Sequence, residues 1–202
     1  MSFQVPRRLV QGRGTFSFRG SRRVRTPGPA PILESPREPK EDTNRVMPVT
    51  LIPILPAEVD PFAMEIMPDG IKQVMEQTRK LYDYIGFHQP WIGYLALDDR
   101  DDAIVGTCGF KSLPSEGRVE IAYFTFPNHE GRGIDTEMGG ELLRLAREAD
   151  TEVTIFAQTL PEESASTQVL KKLGFEQTKT IEHPEDGKVW EWEARETEPK
   201  AQ

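Results

Sequence analysis

Residues 126–138 read Phe126-Pro-Asn-His-Glu-Gly-Arg-Gly-Ile-Asp-Thr-Glu-Met138, and this stretch decides the fold. Ahead of it runs Arg118-Val-Glu-Ile-Ala-Tyr-Phe-Thr-Phe126, an apolar, strand-like segment. Beyond it Ile134, Met138, Leu142, Leu145 and Ala149 recur every three or four residues, the period of a helix with one apolar face. Gly131 and Gly133 bracket a single residue at the helix start, where the backbone must turn sharply and where a ligand can come close. The first amides of a helix have no partner within it, and the macrodipole makes that end positive. A strand, a Gly-x-Gly turn and a helix start together form a cradle for phosphate. Two other phosphate motifs are excluded. The dinucleotide fingerprint needs a third glycine where Thr136 stands, and the P-loop needs Gly-Lys followed by Ser or Thr. A plain strand-to-helix turn is the competing reading.

Outward from this centre the chain reads as one domain. Val49–Leu55 is a predicted strand closed by Pro56, and Ala57–Met67 has room for a short helical turn. Gly70–Tyr84 is a predicted helix with Ile71, Val74, Met75, Thr78, Leu81 and Tyr82 facing inward. Trp91–Leu97 and Ala103–Leu113 are predicted strands joined by an acidic turn over residues 98–102, and Pro114–Gly117 is a second turn. After the central helix come a strand over Glu152–Thr159 and a helix over Pro161–Leu173, stopped by Gly174. Phe175–Ile181 and Lys188–Trp192 close the domain as a hairpin. This order predicts a mixed α/β domain around one central sheet.

The 202 residues and 37% hydrophobic content are enough for one core. The net charge of −8 is unevenly spread: residues 1–30 hold seven arginines and no acid, which leaves −15 on residues 31–202. An acidic body excludes the basic face expected of a nucleic-acid-binding domain and fits a cationic or amine-bearing partner. Residues 1–46 read as a disordered Arg/Pro-rich tail, with a transit peptide or a true start at Met47 as alternatives. Residues 194–202 read as a charged C-terminal tail. The single cysteine, Cys108, lies in an apolar run and reads as a core thiol. No apolar stretch reaches the ~18 residues of a membrane span, so no membrane partner is expected, and a cytoplasmic setting is.

Two segments carry a family resemblance. Asn128-His-Glu-Gly131-Arg-Gly133 resembles the Gln/Arg-x-x-Gly-x-Gly/Ala turn of the GNAT superfamily of N-acetyltransferases. Ser164-Ala-Ser-Thr-Gln-Val-Leu-Lys-Lys-Leu-Gly-Phe175 is similar to a segment of its ribosomal-protein-alanine acetyltransferase branch, as is Gly131-Arg-Gly-Ile-Asp-Thr-Glu137. The resemblance spans roughly residues 48–193, and the domain is expected over 47–193. It implies a GNAT-like single α/β domain, with a mixed central sheet of about six to seven strands flanked by helices. It also implies acetyl transfer from acetyl-CoA to a primary amine, on a protein N-terminus or a small molecule. A catalytically weak or inactive module that binds acyl-CoA or a protein is the alternative, and a homodimer is left open. The resemblance places CoA against Asn128, Glu130, Gly131, Arg132, Gly133 and Ile134. Phe124 and Phe126 on the strand and Ser166 on the later helix are further cofactor candidates. Four positions depart from the pattern: Asn128 replaces a longer side chain, Asp135 brings a carboxylate toward the pyrophosphate, Glu163 replaces the branch's usual Asn, and Leu170 stands where other branches place a tyrosine acid. Asp135 is expected to point outward or to accept amides at the helix start.

Acyl transfer to an amine needs a base for the amine's proton and a donor for the developing oxyanion. Glu120 is the first candidate base. It matches a glutamate that serves as base in several GNAT branches, and alternation puts it with Ala122, Phe124 and Phe126 on one strand face. A carboxylate on so apolar a face should have a raised pKa. The competing reading is a solvent-reaching glutamate of an edge strand. His88, in the loop Gly86-Phe-His-Gln-Pro-Trp91, is a second candidate base or acceptor contact. Trp91 and Tyr123 are candidates for shaping the acceptor pocket, against the plain reading of core aromatics. His183 precedes a turn and reads as solvated, Gly139-Gly140 predicts close helix–sheet contact, and no spacing points to a metal site.

Overall fold

The computed structural model describes residues 48–57, 67–100 and 102–195. The expected tail over 1–46, the C-terminal tail beyond Arg195, and all but the ends of the expected helical turn at Ala57–Met67 lie outside the described residues; Ala194, expected as the first tail residue, instead ends the last strand. The strands are β1 (Val49–Pro53), β2 (Gly93–Asp98), β3 (Ala103–Phe110), β4 (Arg118–Thr125), β5 (Thr154–Thr159), β6 (Phe175–His183) and β7 (Gly187–Ala194). The helices are α1 (Asp69–Ile85), α2 (Ile134–Ala149) and α3 (Ala165–Lys172). All seven strands join one sheet in the order β1-β2-β3-β4-β5-β7-β6. Every neighbouring pair is antiparallel except β4 and β5. A parallel pair needs a crossover, and α2 supplies it.

Local chemistry sets the boundaries. Glu116 and Gly117 both take positive φ (52° and 71°), the geometry of a tight two-residue hairpin turn, and Ser115 and Arg118 exchange amide bonds of 2.9 Å across it. The register then shifts, with residues 112–114 standing against Val119 alone, so that Phe110 lies opposite Ile121 and Gly106 opposite Thr125. Helix α3 starts at Ala165, four residues later than the apolar pattern predicts. Ser164 is the reason: its hydroxyl accepts the Thr167 N–H while Thr167 Oγ1 accepts the Ser164 N–H, a reciprocal cap that ends the preceding loop.

The core lies on both faces of the sheet. Ile71, Val74 and Met75 of α1 pack with Ile54 and Leu95, while Ile134, Met138 and Leu142 of α2 pack with Val105, Val119 and Ile155. Cys108 is fully buried among them, and burial pushes its thiol pKa far up, leaving an inert core group. The close contact at Gly139 is chiefly with α3 rather than the sheet: a Cβ there would meet Leu173 Cδ1 at 2.4 Å, with the Tyr123 ring at 3.7 Å. His183 is not solvated as its sequence context predicts. Its side chain is 16% exposed, its Nδ1 accepts the amides of Glu185 and Asp186, and it pairs with Asp186 at 3.6 Å.

Candidate active site: a split between two parallel strands

The site begins where the sheet comes apart. β4 pairs with β5 only through Arg118–Thr154, Val119–Ile155 and Glu120–Phe156. Past Phe156, β5 stays with β7 as far as Thr159, and β4 stays with β3 as far as Thr125. The two strands therefore diverge, and Glu120 is the last residue of β4 paired across. The direction of the freed backbone follows from two bonds. Glu120 accepts from the Lys111 N–H and Phe126 donates to Val105 O, so even-numbered residues of β4 bond toward β3. The N–H and C=O groups of Tyr123 and the C=O of Thr125 then face the gap, while the Thr125 N–H is taken by the Asp135 carboxylate. A linear ligand with amide groups can pair with that edge as a strand would.

At the wide end stands the start of α2. Gly131 and Gly133 take φ of +77° and +80°, and an added Cβ at either would meet nothing within 4 Å. The turn is thus an open concavity beneath unpartnered helix amides. Asp135 points neither outward nor at the amides. It turns inward and accepts the Thr125 hydroxyl at 2.5 Å. Burial raises its pKa, with the Thr125 hydrogen bond opposing. The inward turn ties the carboxylate to β4. Asn128, Glu130 and Arg132 are exposed along the loop, and Ile134 is buried as the first apolar anchor of α2.

At the narrow end lies a cavity of about 130 Å³, lined among others by Lys111, Glu120, Tyr123, Gln158, Thr159 and Ser166. Glu120 does not reach solvent from an edge. Its side chain is 14% exposed, and Lys111 Nζ lies 2.5 Å from its Oε1, a contact outside hydrogen-bond geometry. Burial raises the Glu120 pKa, and the Lys111 ammonium opposes the rise. Tyr123 reaches across the gap, its hydroxyl donating to the Ser166 carbonyl at 3.4 Å. Burial, and then the Asp135 carboxylate, push its phenol pKa well up. Leu170 completes the wall, so the position of the absent tyrosine adjoins the cavity that Tyr123 enters.

The other candidates lie elsewhere. His88 is exposed in the loop after α1, folded back over Gly86, and is not among the residues lining the cavity. Trp91 packs edge-on against Phe110, ring centroids 5.0 Å apart. Phe124 and Phe126 stack edge-on at 6.0 Å, and Phe126 packs against the α1 cluster. Lys111, Gln158 and Thr159 were not legible as site residues. A regular two-residue turn at Glu116-Gly117 would put Lys111 opposite Ala122, and the irregular stretch after Lys111 brings it opposite Glu120 instead.

A split parallel strand pair, with an open Gly-x-Gly helix start at one end and a buried carboxylate at the other, is the geometry of this site. The chain belongs to the GNAT acetyltransferase family: the family's sequence profile, described as acetyltransferase (GNAT) domain, matches residues 49–176. Members of that family take their acetyl group from acetyl-CoA. The chain is 34% identical over 76 residues to the uncharacterized N-acetyltransferase p20 of Bacillus licheniformis, covering 37% of this chain and 43% of that protein. It thus spans less than half the length of the curated relative it matches. Among solved structures it is similar to the ribosomal-protein-S5-alanine acetyltransferase from Vibrio fischeri, at 18% identity and a TM-score of 0.51 over 68% of this chain and 78% of that one. It is also similar to an acetyltransferase from Agrobacterium tumefaciens, at 16% identity and a TM-score of 0.53 over 75% and 92%. At such identities these likenesses speak for the fold.

Proposed function

We propose that the chain transfers an acetyl group from acetyl-CoA to a primary amine by direct attack, with Glu120 as general base. The observation that carries this reading is the alignment of three features along one split: the open Gly131–Gly133 turn, the unpaired edge of β4, and the Glu120 cavity. The bound acetyl-CoA would supply the thioester acyl carbon at the cavity end. The α2 amides and the Gly-x-Gly turn hold the pyrophosphate, and the Tyr123 and Thr125 backbone groups align the pantetheine amides. Glu120 takes the proton of the attacking amine as the N–C bond forms and the C–S bond breaks. Tyr123, kept protonated by burial, is a neutral donor on the cavity wall for the charge that leaves with sulfur. The acceptor belongs to one of two classes, a protein N-terminus or a small amine. Calorimetric titration of the full chain with acetyl-CoA and with CoA tests the cradle, and release of free CoA on addition of amines tests turnover. No binding at millimolar cofactor would overturn the proposal.

A further inference from the structure

The Lys111–Glu120 pair does more than tune a base. The backbone clamps it: Lys111 N–H donates to the Glu120 carbonyl at 2.9 Å, so the two side chains leave adjacent strands side by side on one face. Both are largely buried, 20% and 14% exposed, on the wall of the cavity. The charges nearby are already engaged. Glu191 is held by Arg118 at 2.6 Å and Lys179 at 3.1 Å, and Glu193 by Arg118 at 2.7 Å, while His183 Nδ1 accepts two backbone amides. The cavity wall therefore offers one cation and one anion, adjacent and matched only to each other.

Resting on the acetyltransfer reading, we infer that the acceptor is a small zwitterion: a primary amine with an anion on the neighbouring carbon, an amino acid or an amino-phosphonate analogue. Its ammonium takes Glu120 and its anion takes Lys111, so that both half-buried charges exchange one partner for another. A plain amine has to displace Lys111 from Glu120 and leaves a half-buried ammonium with no anion, which is unfavourable. A polyamine adds direct repulsion from Lys111. Lys111 can make the exchange, since its charge sits on a flexible four-carbon stem. Size agrees: about 130 Å³ is below the ~300–1,000 Å³ of drug-sized sites and near the ~150 Å³ that accepts benzene. The acidic body of the chain points to a cationic acceptor, but charges beyond ~8–10 Å are screened and the adjacent pair decides.

The test measures CoA release by the full chain at saturating acetyl-CoA. Acceptors are the common amino acids, each beside its decarboxylated amine, with 1-aminoalkylphosphonates, spermidine and an alanine-initiated hexapeptide. At least one amino acid or aminophosphonate should exceed its plain amine by ~10-fold or more in kcat/KM, the value of one charge-assisted bond. Lys111→Met should collapse that ratio. Calorimetric titration of the wild-type chain with the preferred amino acid and its decarboxylated amine, in the presence of CoA, reads recognition without turnover or a variant. Tighter binding of the zwitterion supports the inference, and equal binding overturns it. Preferred turnover of spermidine, plain amines or the peptide would overturn the zwitterion while leaving acetyltransfer intact. No turnover of any acceptor would overturn both.

Discussion

Replacing Glu120 by glutamine keeps the shape of the cavity wall and removes its base, and the structure assigns separate consequences to chemistry, binding and stability. Acetyl transfer should fall by ~10²–10⁴-fold, the range for loss of a positioned general base. Acetyl-CoA affinity should hold, because the Gly131–Gly133 cradle lies at the other end of the split. Stability should respond to pH with a defined sign. The folded Glu120 pKa is raised above the ordinary 4.5, first by burial, with Lys111 opposing. Between those two values the folded state binds more protons than the unfolded state. The neutral carboxyl therefore contributes stability that is present below about pH 4.5 and is lost as pH rises through the folded pKa. Glutamine cannot ionise, so the variant should lose less stability than wild type as pH climbs from 4.5 toward neutrality. Each unit of raised pKa corresponds to about 1.4 kcal/mol before solvent screening reduces it. Lys111, 20% exposed, loses its anion in the variant at every pH of this range, which lowers the variant's stability without changing its slope with pH. Steady-state CoA release, titration with acetyl-CoA and urea denaturation from pH 4 to 8 read the three consequences. Unchanged turnover would refute the base assignment. A steeper loss of stability with pH in the variant would refute the account of Glu120 burial.

Gly139→Ala places a methyl 2.4 Å from Leu173 Cδ1 and should cost about 1–3 kcal/mol in denaturant unfolding; Gly140→Ala, whose Cβ would meet only Leu173 Cδ2 at 3.9 Å, should stabilise by about 0.5–1 kcal/mol and serves as its control. Arg118→Ala strands Glu191, 5% exposed, and removes a guanidinium 4.8 Å over the Phe156 ring. Because Lys179 remains 3.1 Å from that carboxylate, the loss should sit near the lower end of the buried-pair range, about 2–3 kcal/mol in the same assay. Asp135→Asn keeps an acceptor for the Thr125 hydroxyl and deletes the carboxylate at the α2 start. It should tighten acetyl-CoA about 2–5-fold at neutral pH. Because burial raises the Asp135 pKa, the advantage should shrink as pH falls through that value, and calorimetry at two pH values checks both.

The sequence alone determined the elements and the cradle. Local rules act there: a helical period from Ile134 to Ala149, glycines that alone tolerate φ near +80° at a helix start, and alternation along β4. Two motifs in fixed order named the family before any coordinates did. Some errors were local too. A capping box at Ser164 overrode the apolar pattern of α3, and the two amides that His183 binds over its turn are invisible to composition. What only the tertiary structure decided is where β4 and β5 part. Neither strand's own pattern marks the point of parting, and divergence is a property of how β7 and β3 hold them apart. From that divergence follow the freed backbone at Tyr123 and the cavity beside it, while the partnership of Glu120 with Lys111 comes from the pairing of β4 with the chain after β3. Asp135 shows the same limit. Its sequence position exposes it to the phosphate site, but a hydroxyl from the neighbouring strand turns it inward. Side-chain direction at a strand–helix junction depends on what stands opposite, and residues distant in sequence supply that.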